Sequence, residues 1–273
     1  MNIPGRGTPC AIVCLTACLC AALLFPLPVF GASFAVPAPL KFRNVQETPK
    51  DVMDQFLFIQ YRQDGMVDDA GHWSQFAMPE KTFATPGLNC SGLLLEGARL
   101  LLERNISFKE AIKDRLGDSG KSAPPGEDWD FGWDLVMNIS EKYKRTLILP
   151  NGDETDFGTL SGMDRLGWRT AGTALDDLWR VFQQRTTPEK LYLLTFSRHK
   201  DKRTPAYLHY HVGIIIKSPD ENGCVWFYHT THNKGATERI NLTSDEGRKR
   251  FAHIFRDTKR SLKRVSIIEM APK

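Results

Sequence analysis

The strongest constraint on the fold lies in the last third of the chain, where two β-type segments flank a run of turn residues. Residues 207–217 alternate as a strand does, and residues 225–230 are again rich in aromatic and β-branched side chains. Between them, residues 218–223 (Ser-Pro-Asp-Glu-Asn-Gly) favour a turn. The sequence therefore predicts an antiparallel hairpin over residues 207–231.

The elements predicted upstream of this hairpin are mostly helical, and those around and after it are mostly strands. Apolar spacing predicts a helix over 93–102 that is buried on most sides, and a helix over 51–62 with Asp51 as its cap. Helices first and an antiparallel sheet later indicate an α+β domain. The remaining predictions are helices at 107–116, 128–143, 173–184 and 243–255, strands at 146–149, 191–197 and 264–270, and a loop at 63–86.

The first 35 residues have the layout of a secretory signal peptide. Arg6 precedes a mostly apolar stretch over residues 11–30, and small residues follow it. Two alternatives are a lipoprotein lipidated at Cys18, within Leu-Thr-Ala-Cys, and an uncleaved anchor, since about 20 apolar residues span a bilayer. All three possibilities place the body of the protein in the periplasm or cell envelope. The membrane would be contacted only through the N-terminal segment, if it is uncleaved or lipidated. The proline-containing residues 36–50 are predicted to be a linker or arm.

Charge and composition exclude some classes of function. The net charge is +4 and no basic tract is interleaved with aromatic residues, so we expect no nucleic-acid partner. The hydrophobic fraction of 41% is enough for a packed core rather than a disordered chain. We expect a monomeric, globular domain over residues 51–273.

Only Cys90 and Cys224 lie outside the export segment, which holds the other four cysteines. In an oxidising compartment the two could form a structural disulfide. Cys90, however, stands in a small, polar Asn-Cys-Ser-Gly context and opens the predicted buried helix. A helix N-terminus favours a thiolate, so this position suits a nucleophile, with the Cys90 N–H as an oxyanion donor.

Histidines in the predicted hairpin supply a candidate base. Alternation places His209, His211 and Gly213 on one strand face, and His229 lies on the partner strand, where it could orient His211. His209 is a rival base, and His232 is a rival to His229. A zinc site shared by these four histidines is a further alternative.

Three short motifs in this order resemble the NlpC/P60 family of cysteine peptidases. They are Asn-Cys-Ser-Gly-Leu at 89–93, His-Val-Gly-Ile at 211–214 and Phe-Tyr-His at 227–229. The resemblance implies a papain-like α+β fold and cleavage of peptide bonds in peptidoglycan stem peptides. It also implies Cys90 as nucleophile, His211 as base and His229 as orienting residue, with no metal or organic cofactor.

The chain departs from the family pattern at several points. Asn89 stands where the family usually has Asp, and the tyrosine expected upstream could be Tyr61 or be replaced by the His72-Trp73 pair. The long separation of Cys90 from His211 predicts a helical insertion at about residues 117–173. Its aromatic residues would pack a small subdomain or form one wall of the cleft.

Two other functions remain open from the sequence. One is a non-catalytic envelope binding module with a Cys90–Cys224 disulfide. The other keeps the nucleophile but makes the protein a thiol amidase or acyltransferase with a substrate other than peptidoglycan.

Overall fold

The computed structural model describes residues 47–115, 131–162, 164–199, 207–257 and 262–271. These residues belong to one compact unit. The predicted signal peptide, Cys18 and nearly all of the predicted linker lie outside the described residues, as does the first part of the predicted insertion. Within the described ranges, no helix is both long enough and apolar enough to cross a membrane.

The architecture is α+β, with a seven-stranded sheet, a small three-stranded sheet and six α-helices among the described residues. In the large sheet the order is β4-β10-β6-β7-β8-β9, with β5 paired to β10, and the neighbouring strands are antiparallel. The small sheet has the order β1-β2-β3. The strands are β1 (Gly65–Val67), β2 (Trp73–Gln75), β3 (Met78–Phe83), β4 (Lys144–Ile148), β5 (Trp168–Arg169), β6 (Leu191–His199), β7 (Tyr207–Lys217), β8 (Val225–Thr231), β9 (Ala236–Asn241) and β10 (Lys263–Ala271), and the helices are α1 (Pro49–Asp54), α2 (Cys90–Leu101), α3 (Phe108–Ala111), α4 (Phe131–Ser140), α5 (Thr173–Arg185) and α6 (Asp245–Phe255).

The predicted hairpin is confirmed: β7 and β8 are antiparallel neighbours, with Ile214 opposite Tyr228. The buried helix is confirmed as well, because residues 91–100 of α2 are all buried. Two other predictions are wrong. Residues 63–86 form β1–β3 rather than a loop, and α1 ends at Asp54, with Thr48 rather than Asp51 as its cap. Asp51 instead completes a capping box with Thr48.

The large sheet separates two apolar clusters. Helices α2 and α4 pack with residues such as Val212 and Ile214 of β7 on one face. Helices α5 and α6 pack on the other face, where four phenylalanine rings are in contact. Those four are Phe196, Phe227, Phe251 and Phe255.

The described part of the predicted insertion belongs to the core of the domain. Helix α4 contributes Trp133 and Leu135 to the same apolar cluster as α2. Strands β4 and β5 both pair with β10 and extend the large sheet. The prediction of a separate helical subdomain is therefore wrong for this part of the chain, because its apolar side chains complete the core instead of forming one of their own.

A β-bulge in the β6–β7 pair turns two neighbouring histidines to opposite faces of the sheet. Phe196 pairs with His211, but the next residue, Ser197, pairs with His209, so Tyr210 is the extra residue. His209 contacts Trp133 of α4, whereas His211 contacts Phe255 of α6. The predicted sharing of one face by His209 and His211 is therefore wrong.

Candidate active site

The start of α2 is fixed by the two residues that flank the Cys90-Ser91 pair. Asn89 is the N-cap, and its side-chain oxygen accepts a hydrogen bond of 2.8 Å from the N–H of Gly92. Gly92 lies so close to β1 that a Cβ atom there would be 2.1 Å from the carbonyl oxygen of Gly65. Asparagine caps a helix about as well as aspartate does. The departure from the family residue at Asn89 therefore keeps the local structure.

The sulfur of Cys90 lies against the backbone of β7. The N–H of Val212 and the Ser91 side chain lie close enough to the sulfur to stabilise its thiolate form. Pairing of β7 with β8 extends only from Lys217 to Ile214, so the two strands have separated by the time β7 reaches Val212. The half-buried Cys90 side chain therefore lies where the hairpin opens, next to the residue that follows His211.

Burial raises the pKa of the Cys90 thiol, and the contacts with Val212 and Ser91 oppose this effect. The helix N-terminus alone predicted the opposite direction. When the sulfur is surrounded by apolar groups, desolvation destabilises the thiolate by more than the helix N-terminus stabilises it. In this structure Cys90 is therefore a neutral thiol near neutral pH.

His211 is a buried, neutral imidazole on the face of the sheet that packs against α6. Its ring lies 5.5 Å from the ring of Phe196 and 5.2 Å from that of Phe255, centroid to centroid. Burial lowers the pKa of His211 well below its usual value, and the charge on His229 would lower it further. Nε2 of His211 has no hydrogen-bond partner among the described residues. A neutral imidazole has a free lone pair that can accept a proton, and its lowered pKa makes it a weaker base than an exposed histidine.

His229 stands directly beside His211. The two ring centroids are 5.3 Å apart and the planes are nearly perpendicular, at 88°. The ring of His229 is completely buried, and its Nε2 lies 3.2 Å from Oε1 of Glu238, the residue opposite it on β9. Arg250 of α6 forms an ion pair with the same carboxylate. Glu238 was not predicted as a site residue, because no strand was predicted where β9 lies.

The remaining histidines do not join this pair. His209 bonds Thr195 Oγ1 at 2.7 Å and the carbonyl oxygen of Gly162 at 2.6 Å, and its burial lowers its pKa to about 4. His232 is exposed and meets the ring of Tyr61 edge-on at 5.4 Å. In the described ranges no group of three or more His, Cys, Asp or Glu side chains could hold a metal ion. The four-histidine zinc alternative has no support, since His209 faces the other side of the sheet.

Tyr61 is the upstream aromatic residue that lies near Cys90. Burial raises the pKa of Tyr61, and the negative charge of a Cys90 thiolate raises it further. The Tyr61 hydroxyl donates to Oε1 of Gln63 at 2.9 Å. The other candidate pair has a different role: Trp73 is buried in β2, and the exposed His72 contacts Asp68. Of the two alternatives left open by the sequence, the structure favours Tyr61.

Cys224 is remote from Cys90, and both cysteines are free thiols. Cys90 contacts Val212 on β7, whereas the carbonyl of Cys224 bonds the N–H of Ser218, just beyond the other end of β7. Six residues of strand separate these points, about 20 Å at the usual rise. A disulfide needs Cα atoms within about 7 Å. The geometry therefore opposes a binding module stapled by Cys90 and Cys224.

Similarity to known proteins adds nothing to this geometry. Searches of protein-family models, curated proteins and solved structures found no match.

Proposed function

We propose that this protein is an exported cysteine hydrolase that cleaves peptide or amide bonds of peptidoglycan stem peptides. The observation that carries the proposal is the contact of Cys90 Sγ with the N–H of Val212, immediately after His211. It places a thiol at a helix start against the backbone of the strand that carries His211. The His211 ring points to the α6 face of that strand, so the proposed nucleophile–base pair has to form around the unpaired edge of the strand. The finer assignment to a papain-like, NlpC/P60-type fold belongs to the same proposal, supported by the three motifs and their order.

The chemistry starts from the neutral form of both groups. As the Cys90 sulfur attacks the carbonyl carbon, its proton passes to the neutral His211 ring, and the oxyanion meets the N–H of Cys90. The carbon–nitrogen bond then breaks, and His211 returns the proton to the leaving amine. Water then attacks the resulting thioester and gives its proton to His211. The carbon–sulfur bond breaks, the carboxylic acid is released, and His211 returns the proton to the Cys90 sulfur. The lowered pKa leaves His211 unprotonated at neutral pH but makes it a weak base, so the proton has to leave Cys90 in concert with the attack on the carbonyl carbon.

The substrate class rests on the resemblance together with the predicted export. A signal peptide at residues 1–35 would deliver the domain to the compartment where stem peptides occur. An amidase or acyltransferase would use the same thiol and base and differ only in what attacks the thioester. The dependence of product formation on an added amine acceptor distinguishes an acyltransferase from a hydrolase.

The test uses protein recovered after export from the cell envelope and a panel of synthetic stem peptides, with products identified by mass spectrometry. We expect cleavage by the wild-type protein, loss of cleavage in Cys90→Ala and His211→Ala, and retention in Cys224→Ala, the matched thiol control. Circular dichroism checks that each variant is folded. Cleavage by Cys90→Ala would overturn the proposal, and product found only when an amine acceptor is added would favour the acyltransferase.

A further inference from the structure

The side chains of His229 and Glu238 lie next to each other on the paired strands β8 and β9. Nε2 of His229 lies 3.2 Å from Oε1 of Glu238 but outside hydrogen-bond geometry, so neither of these two atoms, nor Nδ1 of His229, has a hydrogen-bond partner among the described residues. Nε2 of His211 is likewise buried and without a described partner. The two ring centroids are 5.3 Å apart, so a small rotation of the rings would let Nε2 of His211 and Nδ1 of His229 form a hydrogen bond with each other.

We propose that Glu238 is a positioning residue that fixes the tautomer of His229 and, through it, the orientation of His211. A carboxylate accepts only, so it selects the form of His229 that carries its proton on Nε2. Nδ1 of His229 is then an acceptor for the N–H at Nε2 of His211. This leaves Nδ1 of His211 as the nitrogen that takes the proton from Cys90. The inference rests on the proposed function, since it assigns a role within that same site.

The surroundings of the two side chains keep Glu238 charged and His229 neutral. Burial raises the pKa of the Glu238 carboxyl group, but the contact with His229 and the positive charges of Arg250 and Lys234 outweigh burial and lower it. Burial lowers the pKa of His229; Glu238 opposes this, whereas Arg250 and Lys234 add to it. The ring of Phe227 stacks on that of His229 at 4.8 Å and keeps water away. An ionised carboxylate facing a neutral imidazole favours the tautomer whose proton is on the facing nitrogen, which is Nε2 in His229.

A simpler role for Glu238 is an ion pair with Arg250 that ties β9 to α6. Such a pair would affect stability but would leave the protonation of His229 and the turnover rate unchanged. The two roles differ in which nitrogen of His229 carries the proton, which can be measured without any substrate.

The experiment compares Glu238→Leu, which removes the acceptor, with Glu238→Gln, which keeps an acceptor and removes the charge. The exposed Glu246 on α6 provides matched controls, Glu246→Leu and Glu246→Gln. Nitrogen-15 NMR of the imidazole rings reports the tautomer and the pKa of His229, assigned by its absence in His229→Gln. Stem-peptide kinetics report kcat and KM.

In Glu238→Leu we expect His229 to lose its Nε2–H preference and kcat to fall about 10-fold or more with little change in KM, as when other orienting partners of an imidazole are removed. In Glu238→Gln we expect the tautomer to persist while the pKa of His229 falls. Both Glu246 variants should match the wild type.

An unchanged His229 tautomer in folded Glu238→Leu would overturn the inference, even if the melting temperature drops. If Glu238→Leu does not fold, an unchanged pKa of His229 in Glu238→Gln overturns it instead. If wild-type protein cleaves none of the peptides, the proposed function fails, and the tautomer measurement still decides whether Glu238 holds His229.

Discussion

The backbone N–H of Val212 lies beside the sulfur of Cys90, close enough to stabilise its thiolate form, and this contact links the first residue of α2 to the strand that carries His211. It forms where β7 is no longer paired with β8, beyond Ile214. A helix start and a strand backbone are both rigid, so together with the Ser91 side chain they hold the thiol in one place. The sulfur therefore lies at the part of β7 that is not paired with β8.

Alkylation of Cys90 should depend on pH in the way a buried neutral thiol does. Because burial raises the pKa of Cys90, we expect its reaction with iodoacetamide to be slow at pH 6 and to keep increasing above pH ~9, beyond the usual range of a free thiol. Mass spectrometry of the Cys90 peptide measures the rate, with the Cys224 peptide of the same sample as reference. Rapid alkylation of Cys90 at pH 5 to 6 would instead indicate a thiolate–imidazolium pair.

Tyr61→Phe should reduce turnover with little effect on folding. The Tyr61 hydroxyl lies near enough to Cys90 to sense its charge, so it can stabilise negative charge that develops beside the sulfur. Removing one such donor typically costs about 100- to 1,000-fold in kcat. Stem-peptide kinetics measure this loss, and Tyr143→Phe, at a half-buried tyrosine just after α4, is the matched control. Equal kcat values for the two variants would exclude a role for the Tyr61 hydroxyl in the reaction.

Gly92→Ala should destabilise the domain strongly. Its Cβ would meet the Gly65 carbonyl oxygen at 2.1 Å, and both partners are backbone atoms that cannot rotate away. We expect a loss of about 3 kcal/mol in the free energy of unfolding, the upper end of the range for overpacking. Urea denaturation measures it. Gly158→Ala, at an exposed glycine whose nearest neighbour is a side-chain oxygen at 3.2 Å, should stay within about 0.5 kcal/mol of wild type.

His209→Gln should remove part of the acid sensitivity of the fold. Burial lowers the pKa of His209 from 6.5 to about 4, so between these values the unfolded chain binds a proton that the folded chain does not. The stability that neutral His209 provides is present above pH ~6.5 and is lost as the pH falls towards ~4, up to about 3 kcal/mol. Buried His211 and His229 add to the same trend.

Urea denaturation at pH 7 and pH 4.5 tests this expectation. The loss between the two pH values should be smaller in His209→Gln than in wild type, while the exposed His253→Gln should lose as much as wild type does. Identical losses in His209→Gln and wild type would show that His209 is not held neutral by the fold.

Local patterns in the sequence were enough to predict the main frame of the domain. The β7–β8 hairpin could be predicted because alternation and turn residues are properties of neighbouring positions. The burial of α2 followed from its nearly continuous apolar side chains. The three-residue strands β1 and β2 could not be predicted in this way, since a segment of that length carries no recognisable period.

The motifs likewise indicated Cys90, His211 and His229 as the residues to examine, and His211 and His229 are in fact neighbours. The sequence determined which residue types are available and in which elements they lie. Only the tertiary structure decided that a bulge turns His209 away from His211, that Glu238 meets His229 across β9, and that burial reverses the expected pKa direction of Cys90. Strand register and desolvation depend on contacts between residues far apart in the chain, and no short stretch of sequence contains that information.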